Sequence, residues 1–270
     1  MPRHRHKDFR SGDLCEAMGI LLLKGIAAVA EVARPEDVGI DAVGTLLRPG
    51  PDDLLVAEDS FFVQIKSSSK DHIDYDENGV CWLKELRLPF FIGSVDKKSS
   101  CMALYSTNRL AGFLISSRER ATYRLHLQKT DTTSTPERTE IYIGPAIAKW
   151  TVSQLCDKEH IERLYRVIKA HIEVEEWNIS YRPLAYFQAV FWTTNDERLR
   201  KVLESGRGPS DDELKRILVN VSPHVALMTT YCQSHQNREG LELLGKLVGF
   251  MKAAGVDLAL EKPIQQMLGR

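Results

Sequence analysis

The residues best suited to chemistry lie in one strand-like segment, Phe61–Lys66, with the sequence FFVQIK. Because a β-strand directs alternate side chains to opposite faces, Gln64 and Lys66 project together on one face of this segment. An amide oxygen can bind a hard cation, and an ammonium group can stabilise charge on a phosphoryl oxygen. The spacing therefore predicts two side chains that act together on a phosphorylated substrate.

Two carboxylates precede this pair. Asp41 lies in the otherwise strand-like stretch Val38–Val43, and a neighbouring strand would bring it beside Gln64. Glu16 lies on a mostly apolar helix, where an ionised group is costly to bury without a partner or a metal ion. Magnesium suits such a set, because it takes oxygen ligands and is commonly held by one or two carboxylates, water and substrate phosphate. The set indicates metal-assisted chemistry in which Lys66 orients or helps to deprotonate an attacking water.

The order Glu16, Gly39-Ile40-Asp41 and Gln64-Ile65-Lys66 resembles the motif of the PD-(D/E)XK nuclease superfamily, with glutamine in place of the acidic residue before the lysine. This variant resembles the branch that includes the Mrr-like restriction endonucleases and bacterial domains associated with anti-phage defence. The similarity covers about Ser11–Ser106, since the segments Trp82–Ile92 and Leu104–Ser106 also fit the pattern of that group.

The resemblance implies a helix–strand–strand–strand core that hydrolyses a nucleic-acid phosphodiester. It implies that Asp41, Gln64 and Glu16 bind Mg²⁺ or Mn²⁺, and that Lys66 lies beside the scissile phosphate. The neutral oxygen of glutamine binds Mg²⁺ more weakly than a carboxylate does, so we expect metal occupancy to depend on bound phosphate.

A simpler interpretation is a surface strand on which Gln64 and Lys66 are ordinary solvated residues, because so short a motif also arises by chance. The surrounding elements favour the functional interpretation, since Glu16 lies on a buried helix and Lys66 ends a strand at the polar turn Ser67–Ser69. Asp37 is expected to be a turn residue, with an approach to the metal as the alternative.

The first half of the chain alternates helical and strand-like patterns. A largely buried helix is predicted over Gly12–Lys24, closed by Gly25. The predicted strands are Ala27–Ala33, Val38–Leu47, Phe61–Ser67, a hairpin of Leu88–Val95 with Cys101–Ser106, and Tyr123–Gln128 with Thr139–Ile143 around a hairpin loop at Lys129–Arg138. This order predicts an α/β restriction-endonuclease-like core, with a mixed sheet flanked by helices, over residues 1–150.

Past about Trp150 the pattern becomes helical, so an all-α region is predicted over residues 151–270. Ile161, Leu164, Ile168 and Ile172 recur at helical spacing, and Ser210 has the spacing of an N-cap in a capping box with Glu213. This region would serve for dimerisation, substrate contact or regulation.

Composition limits the function classes. The chain of 270 residues carries 36 Lys and Arg against 37 Asp and Glu, so any nucleic-acid surface must be local, and the basic start Met1–Arg10 is one candidate for phosphate contact. The five cysteines form no CxxC pair, which argues against a disulfide framework or a structural zinc site and favours a reducing cytoplasm. No signal peptide or membrane-spanning run is visible, so a soluble protein without a membrane partner is expected.

The leading hypothesis is a Mg²⁺-dependent endonuclease of restriction or anti-phage type that acts on DNA. The alternative is a non-catalytic binding or adaptor protein with a nuclease-like fold that works through its helical half, and an RNA-specific nuclease is a third hypothesis. A homodimer is predicted, because two active sites suit cleavage of both strands of a duplex. An activating signal or a partner protein remains open.

Overall fold

The computed structural model describes residues 7–32, 39–116, 121–127, 139–206 and 210–269. Two compact units make up the chain: the first comprises Met1–Arg182 and Tyr186–Gly206, and the second comprises Pro183–Ala185 and Arg207–Arg270. The first unit thus extends well past residue 150, where the sequence predicts the boundary.

The helices are α1 (Lys7–Leu23), α2 (Glu77–Glu85), α3 (Leu110–Ser116), α4 (Lys158–Tyr181), α5 (Asp211–Ser234), α6 (Arg238–Ala253) and α7 (Glu261–Leu268). The strands are β1 (Ala27–Glu31), β2 (Ala42–Pro49), β3 (Leu55–Ser67), β4 (His72–Tyr75), β5 (Phe90–Asp96), β6 (Cys101–Ser106), β7 (Tyr123–His126), β8 (Glu140–Tyr142), β9 (Ala148–Thr151), β10 (Tyr186–Phe191) and β11 (Arg200–Ser205).

A mixed six-stranded sheet in the order β1-β2-β3-β5-β6-β9 forms the centre of the first unit. The β3–β5 pair is parallel, and the other neighbouring pairs are antiparallel. The predicted β5–β6 hairpin is confirmed. Strand β3 lies inside the sheet and is its longest strand. It pairs with β2 as far as Val63, whereas its last residues, Gln64 to Ser67, pair with β5 alone.

Each face of this sheet is covered by its own hydrophobic core. Phe61, Val63 and Ile65 of β3 pack with α1 and α4 on one face. On the other face Phe62 packs against a cluster supplied by α2, α3 and a three-stranded sheet of β4, β7 and β8. Alternation along β3 therefore places Gln64 and Lys66 on the side of the small sheet.

Three predicted elements need correction. Helix α1 begins at Lys7 rather than Gly12, and β2 begins at Ala42, so Asp41 precedes the strand instead of lying within it. The predicted hairpin across Lys129–Arg138 is wrong, because β7 and β8 pair in parallel and a tight turn cannot join parallel strands. That connecting stretch, Asp37 and the first six residues lie outside the described residues.

The region after Trp150 is not all-α. Helix α4 contributes to the core of the first unit, and β10 and β11 form an antiparallel pair. The helical prediction holds for the second unit, where α5, α6 and α7 share one core and the capping box of Ser210 and Glu213 is confirmed.

Candidate active site

Asp41 lies immediately before β2 and is fixed to β3 by two hydrogen bonds. Its backbone N–H donates to the Val63 carbonyl at 3.0 Å. Its carboxylate accepts from the backbone N–H of Ile65 at 2.5 Å. Because β2 begins only one residue later, the side chain of Asp41 satisfies an N–H that a longer β2 would have paired. The carboxylate therefore lies level with the residue between Gln64 and Lys66.

Gln64 is buried, and its amide oxygen is held by Tyr75 of β4. The Tyr75 hydroxyl donates to Oε1 of Gln64 at 3.0 Å. Burial, and then the negative charge of Asp41, raise the pKa of Tyr75, so the phenol remains a donor. A carbonyl oxygen has a second lone pair, so the amide of Gln64 can accept this bond and still bind a cation.

An aromatic wall closes this corner of the site. The rings of Tyr75 and Trp82 stack with centroids 6.3 Å apart, and Trp82 meets Phe90 edge-on at 5.2 Å. Gly39 has a φ of +91°, and a Cβ there would lie 3.6 Å from the Trp82 ring and 3.7 Å from Nε2 of Gln64. The turn before Asp41 therefore lies between the Trp82 ring and the side-chain amide of Gln64.

Lys66 lies two residues beyond Gln64 on the same face of β3 and is partly buried. It is in register with Ser94 of β5. The short side chain of Ser94 leaves the lysine room on that side, so its ammonium can approach a ligand that lies above the end of β3.

Glu16 lies on α1, which packs on the other face of the sheet. Helix α1 crosses β3 where a Cβ on Gly19 would lie 2.8 Å from the side chain of Ile65. Glu16 lies three residues earlier, about 4.5 Å along the helix axis. Glu16 is on the opposite face of the sheet from Gln64 and Lys66. Its carboxylate can therefore share a ligand with them only at the edge of β3 that β2 leaves unpaired, where Asp41 lies.

The candidate ligands are of the type that a hard divalent cation prefers, but they are few. Asp41, Gln64 and Glu16 offer oxygen atoms, which Mg²⁺ and Mn²⁺ prefer. Among the described residues there is no cluster of three or more His, Cys, Asp or Glu side chains that could hold a metal. A cation at this site would therefore depend on water and substrate phosphate for much of its coordination.

Comparison with known proteins identifies no family to which this chain can be assigned. No family model, curated protein or solved structure matches this chain. In the part of the chain that the structure describes, none of the helices has the length and apolar character required to cross a bilayer.

Sequence reasoning missed Tyr75 as a partner of the site and missed the aromatic wall. Tyr75 comes from a separate three-stranded sheet, and its contact with Gln64 depends on how that sheet packs over β3. The local sequence around Tyr75 carries no sign of this contact. Trp82 lies in Trp82–Ile92, a segment that was expected from the sequence to belong to a nuclease-like core.

Proposed function

We propose that this chain is a metal-dependent endonuclease with a restriction-endonuclease-like core, whose active site is formed by Asp41, Gln64, Lys66 and Glu16. The observation that carries the proposal is the bond from the Ile65 N–H to the Asp41 carboxylate. It brings a carboxylate, separated by many residues in sequence, to the point on β3 that Gln64 and Lys66 flank.

The residues divide the work of phosphodiester hydrolysis. Asp41 and Gln64, joined by Glu16 at the edge of β3, would hold Mg²⁺ or Mn²⁺, which when bound supplies Lewis acidity and orients the phosphate. Lys66 stabilises negative charge on the phosphoryl oxygens and orients the attacking water. Water forms the new O–P bond, and the ester O–P bond breaks as the leaving oxygen takes up a proton.

DNA is the favoured substrate, and RNA is the alternative. A role in restriction or anti-phage defence, a cytoplasmic location and a homodimer belong to the same proposal. The second unit would then supply dimerisation, substrate contact or regulation, in line with the exposed apolar residues Leu227, Tyr231 and Phe250 on its helices.

The test is a panel of plasmid DNA, linear DNA and single-stranded RNA, each incubated with the purified protein and Mg²⁺, Mn²⁺ or EDTA. Cleavage that requires a divalent cation and is lost in Asp41→Ala and Lys66→Ala supports the proposal and identifies the substrate. Cleavage that persists in both variants assigns the activity elsewhere.

One observation favours the adaptor hypothesis. The amide of Gln64 already accepts a buried hydrogen bond from Tyr75, and such an arrangement also stabilises a fold that has lost catalysis. The two hypotheses differ in the binding of Mn²⁺: an adaptor has no requirement for it, whereas the nuclease loses Mn²⁺ affinity in Asp41→Ala.

A further inference from the structure

A row of side-chain positions crosses the sheet beside the candidate active site. Lys66 is in register with Ser94, Ser94 with Ala103, and Ala103 with Lys149. Directly paired residues in a sheet direct their side chains to the same face. The row therefore has a lysine at each end and two small residues between them, and its ends are three strand spacings, about 14 Å, apart.

The same face carries a cleft of about 450 Å³. Ser94, Ala103 and Lys149 line it, so its floor is the row itself beyond Lys66. Ser68 also lines it, and the backbone N–H of Ser68 donates to the carbonyl of Val95 at 2.9 Å, which fixes the end of β3 at the rim. The cleft therefore begins next to Lys66 and extends away from Asp41 and Gln64.

The lining combines apolar and hydroxyl-bearing residues. Leu127, Pro145 and Ala146 give an apolar wall, and Tyr105 and Thr194 add to the hydroxyl groups of the serines. A nucleoside presents the same combination, since its base has an apolar face while its sugar carries hydrogen-bonding oxygens. The volume is that of a site for one small molecule or one nucleotide.

One carboxylate and one ammonium, those of Asp96 and Lys149, line the cleft. The carboxylate of Asp96 accepts from the Lys98 N–H at 3.0 Å and from the Ser99 hydroxyl at 2.6 Å. It is therefore hydrogen-bonded within the turn that joins β5 and β6. Lys149 is exposed and lines the cleft together with Cys101. A phosphate at the far end would meet this ammonium.

We propose that the cleft binds one nucleotide of a single nucleic-acid strand, with the scissile phosphate at Lys66 and another phosphate of the same strand at Lys149. This inference rests on the proposed function and extends it to the form of the substrate. A duplex presents its bases stacked and paired, so a nucleotide could enter such a cleft only after leaving the helix, which costs stacking and pairing energy. A single strand offers its nucleotides without that cost.

The proposal is tested by binding in EDTA, where no cleavage occurs. Fluorescence anisotropy compares a short labelled single-stranded oligodeoxynucleotide with the same sequence as a duplex. Single-strand affinity should exceed duplex affinity, and Lys149→Gln should weaken single-strand binding about tenfold, because it removes one charge-assisted contact. Lys24→Gln is the matched control, since Lys24 is an exposed lysine that follows α1 and pairs with Glu31 outside the row, and it should leave the affinity unchanged.

Thiol alkylation locates the bound strand. Cys101 lines the cleft, whereas Cys81 and Cys156 are exposed elsewhere and serve as internal references. A saturating single strand should slow the reaction of Cys101 with N-ethylmaleimide several-fold and leave Cys81 and Cys156 unaffected.

The outcomes separate this inference from the proposed function. Tighter binding of the duplex, or wild-type affinity in Lys149→Gln together with an unprotected Cys101, overturns the cleft assignment even if the protein is a nuclease. Binding and protection without cleavage under any metal condition overturn the nuclease proposal and retain the cleft as a single-strand site.

Discussion

The carboxylate of Asp41 accepts a hydrogen bond of 2.5 Å from the backbone N–H of Ile65, across the edge where β2 has not yet begun. A charged acceptor on a backbone N–H is one of the stronger hydrogen bonds in a protein. The bond fixes a negative charge on β3 at the level of Gln64 and Lys66. The same carboxylate thus stabilises the fold through Ile65 and lies where it could bind a metal ion beside Gln64 and Lys66.

Two substitutions separate these roles. Asp41→Asn keeps an oxygen that can accept from Ile65, so the free energy of unfolding in urea should change by about 1 kcal/mol or less, whereas Asp41→Ala should lose about 1–3 kcal/mol. Cleavage should fall at least about a hundredfold in both variants, because both lack the charge. Asp41→Asn with wild-type cleavage would show that the charge is not needed.

Tyr75→Phe tests the positioning of Gln64. Loss of the hydroxyl leaves the amide oxygen without its donor, so we expect the Mg²⁺ concentration for half-maximal cleavage to rise several-fold, with a smaller change in the rate at saturating Mg²⁺. Tyr165→Phe is the matched control, because it removes a phenol that donates to Glu58 at 2.6 Å, in a different contact. An unchanged Mg²⁺ dependence in Tyr75→Phe would exclude this role.

Gly39→Ala tests the turn before Asp41. A new Cβ would make only van der Waals contacts, with the nearest atom at 3.6 Å. The substitution should therefore lower the free energy of unfolding by about 1–2 kcal/mol because of the φ of +91°, which disfavours any residue with a Cβ. Gly12→Ala lies in α1 with nothing within 4 Å of its Cβ and should stabilise by about 0.5–1 kcal/mol. Equal effects of the two changes would show that Gly39 is under no backbone constraint.

A buried polar cluster beneath α4 predicts a dependence of stability on pH. Burial raises the pKa of Glu175 from 4.5 to about 7, although the hydroxyls of Thr107 and Ser106 each donate to it at 3.1 Å. The folded state therefore binds this proton more tightly than the unfolded state. The stabilisation is complete below pH 4.5 and is lost as the pH rises through about 7.

His171 has the opposite effect at lower pH. Burial lowers its pKa from 6.5 to about 3, so its contribution is complete above pH 6.5 and is lost on acidification. Between about pH 6.5 and 8, Glu175 dominates, and the wild type should lose about 1 kcal/mol.

Glu175→Gln should remove this loss, because the amide keeps an oxygen for the two hydroxyls and does not titrate. Urea unfolding at several pH values measures the difference, and Glu173→Gln, which changes a half-exposed side chain of the same helix, should keep the wild-type slope. The same slope in Glu175→Gln would assign the pH dependence to another group.

The sequence predicted the elements that carry strong periodicity. The alternation in β3, the β5–β6 hairpin, the helical spacing in α4 and the capping box at Ser210 all follow from local patterns, and the structure contains each of them. Local patterns also placed Gln64 and Lys66 on one face of β3. Asp41 was expected to lie beside Gln64 on a neighbouring strand, and the structure places its carboxylate on the N–H of Ile65, just before β2 begins.

Long-range packing was beyond the sequence. Nothing local distinguishes a parallel β7–β8 pair from a hairpin, because the direction of pairing depends on the path of the intervening chain. The β10–β11 pair was missed because the whole region after Trp150 was predicted to be helical, although Tyr186 and Phe191 are exposed on a strand. Tyr75 was missed for the same reason, since its role depends on the packing of one sheet on another.

The most direct measurement of the central claim compares single-turnover cleavage by wild type and Lys66→Ala, with saturating protein and Mg²⁺, on the substrate identified in the panel. We expect Lys66→Ala to retain the fold and to lower the rate at least about a hundredfold, while the surface control Lys24→Ala cleaves at the wild-type rate. Cleavage by Lys66→Ala at the rate of the control would contradict the central claim, because the active site would then lie away from the end of β3.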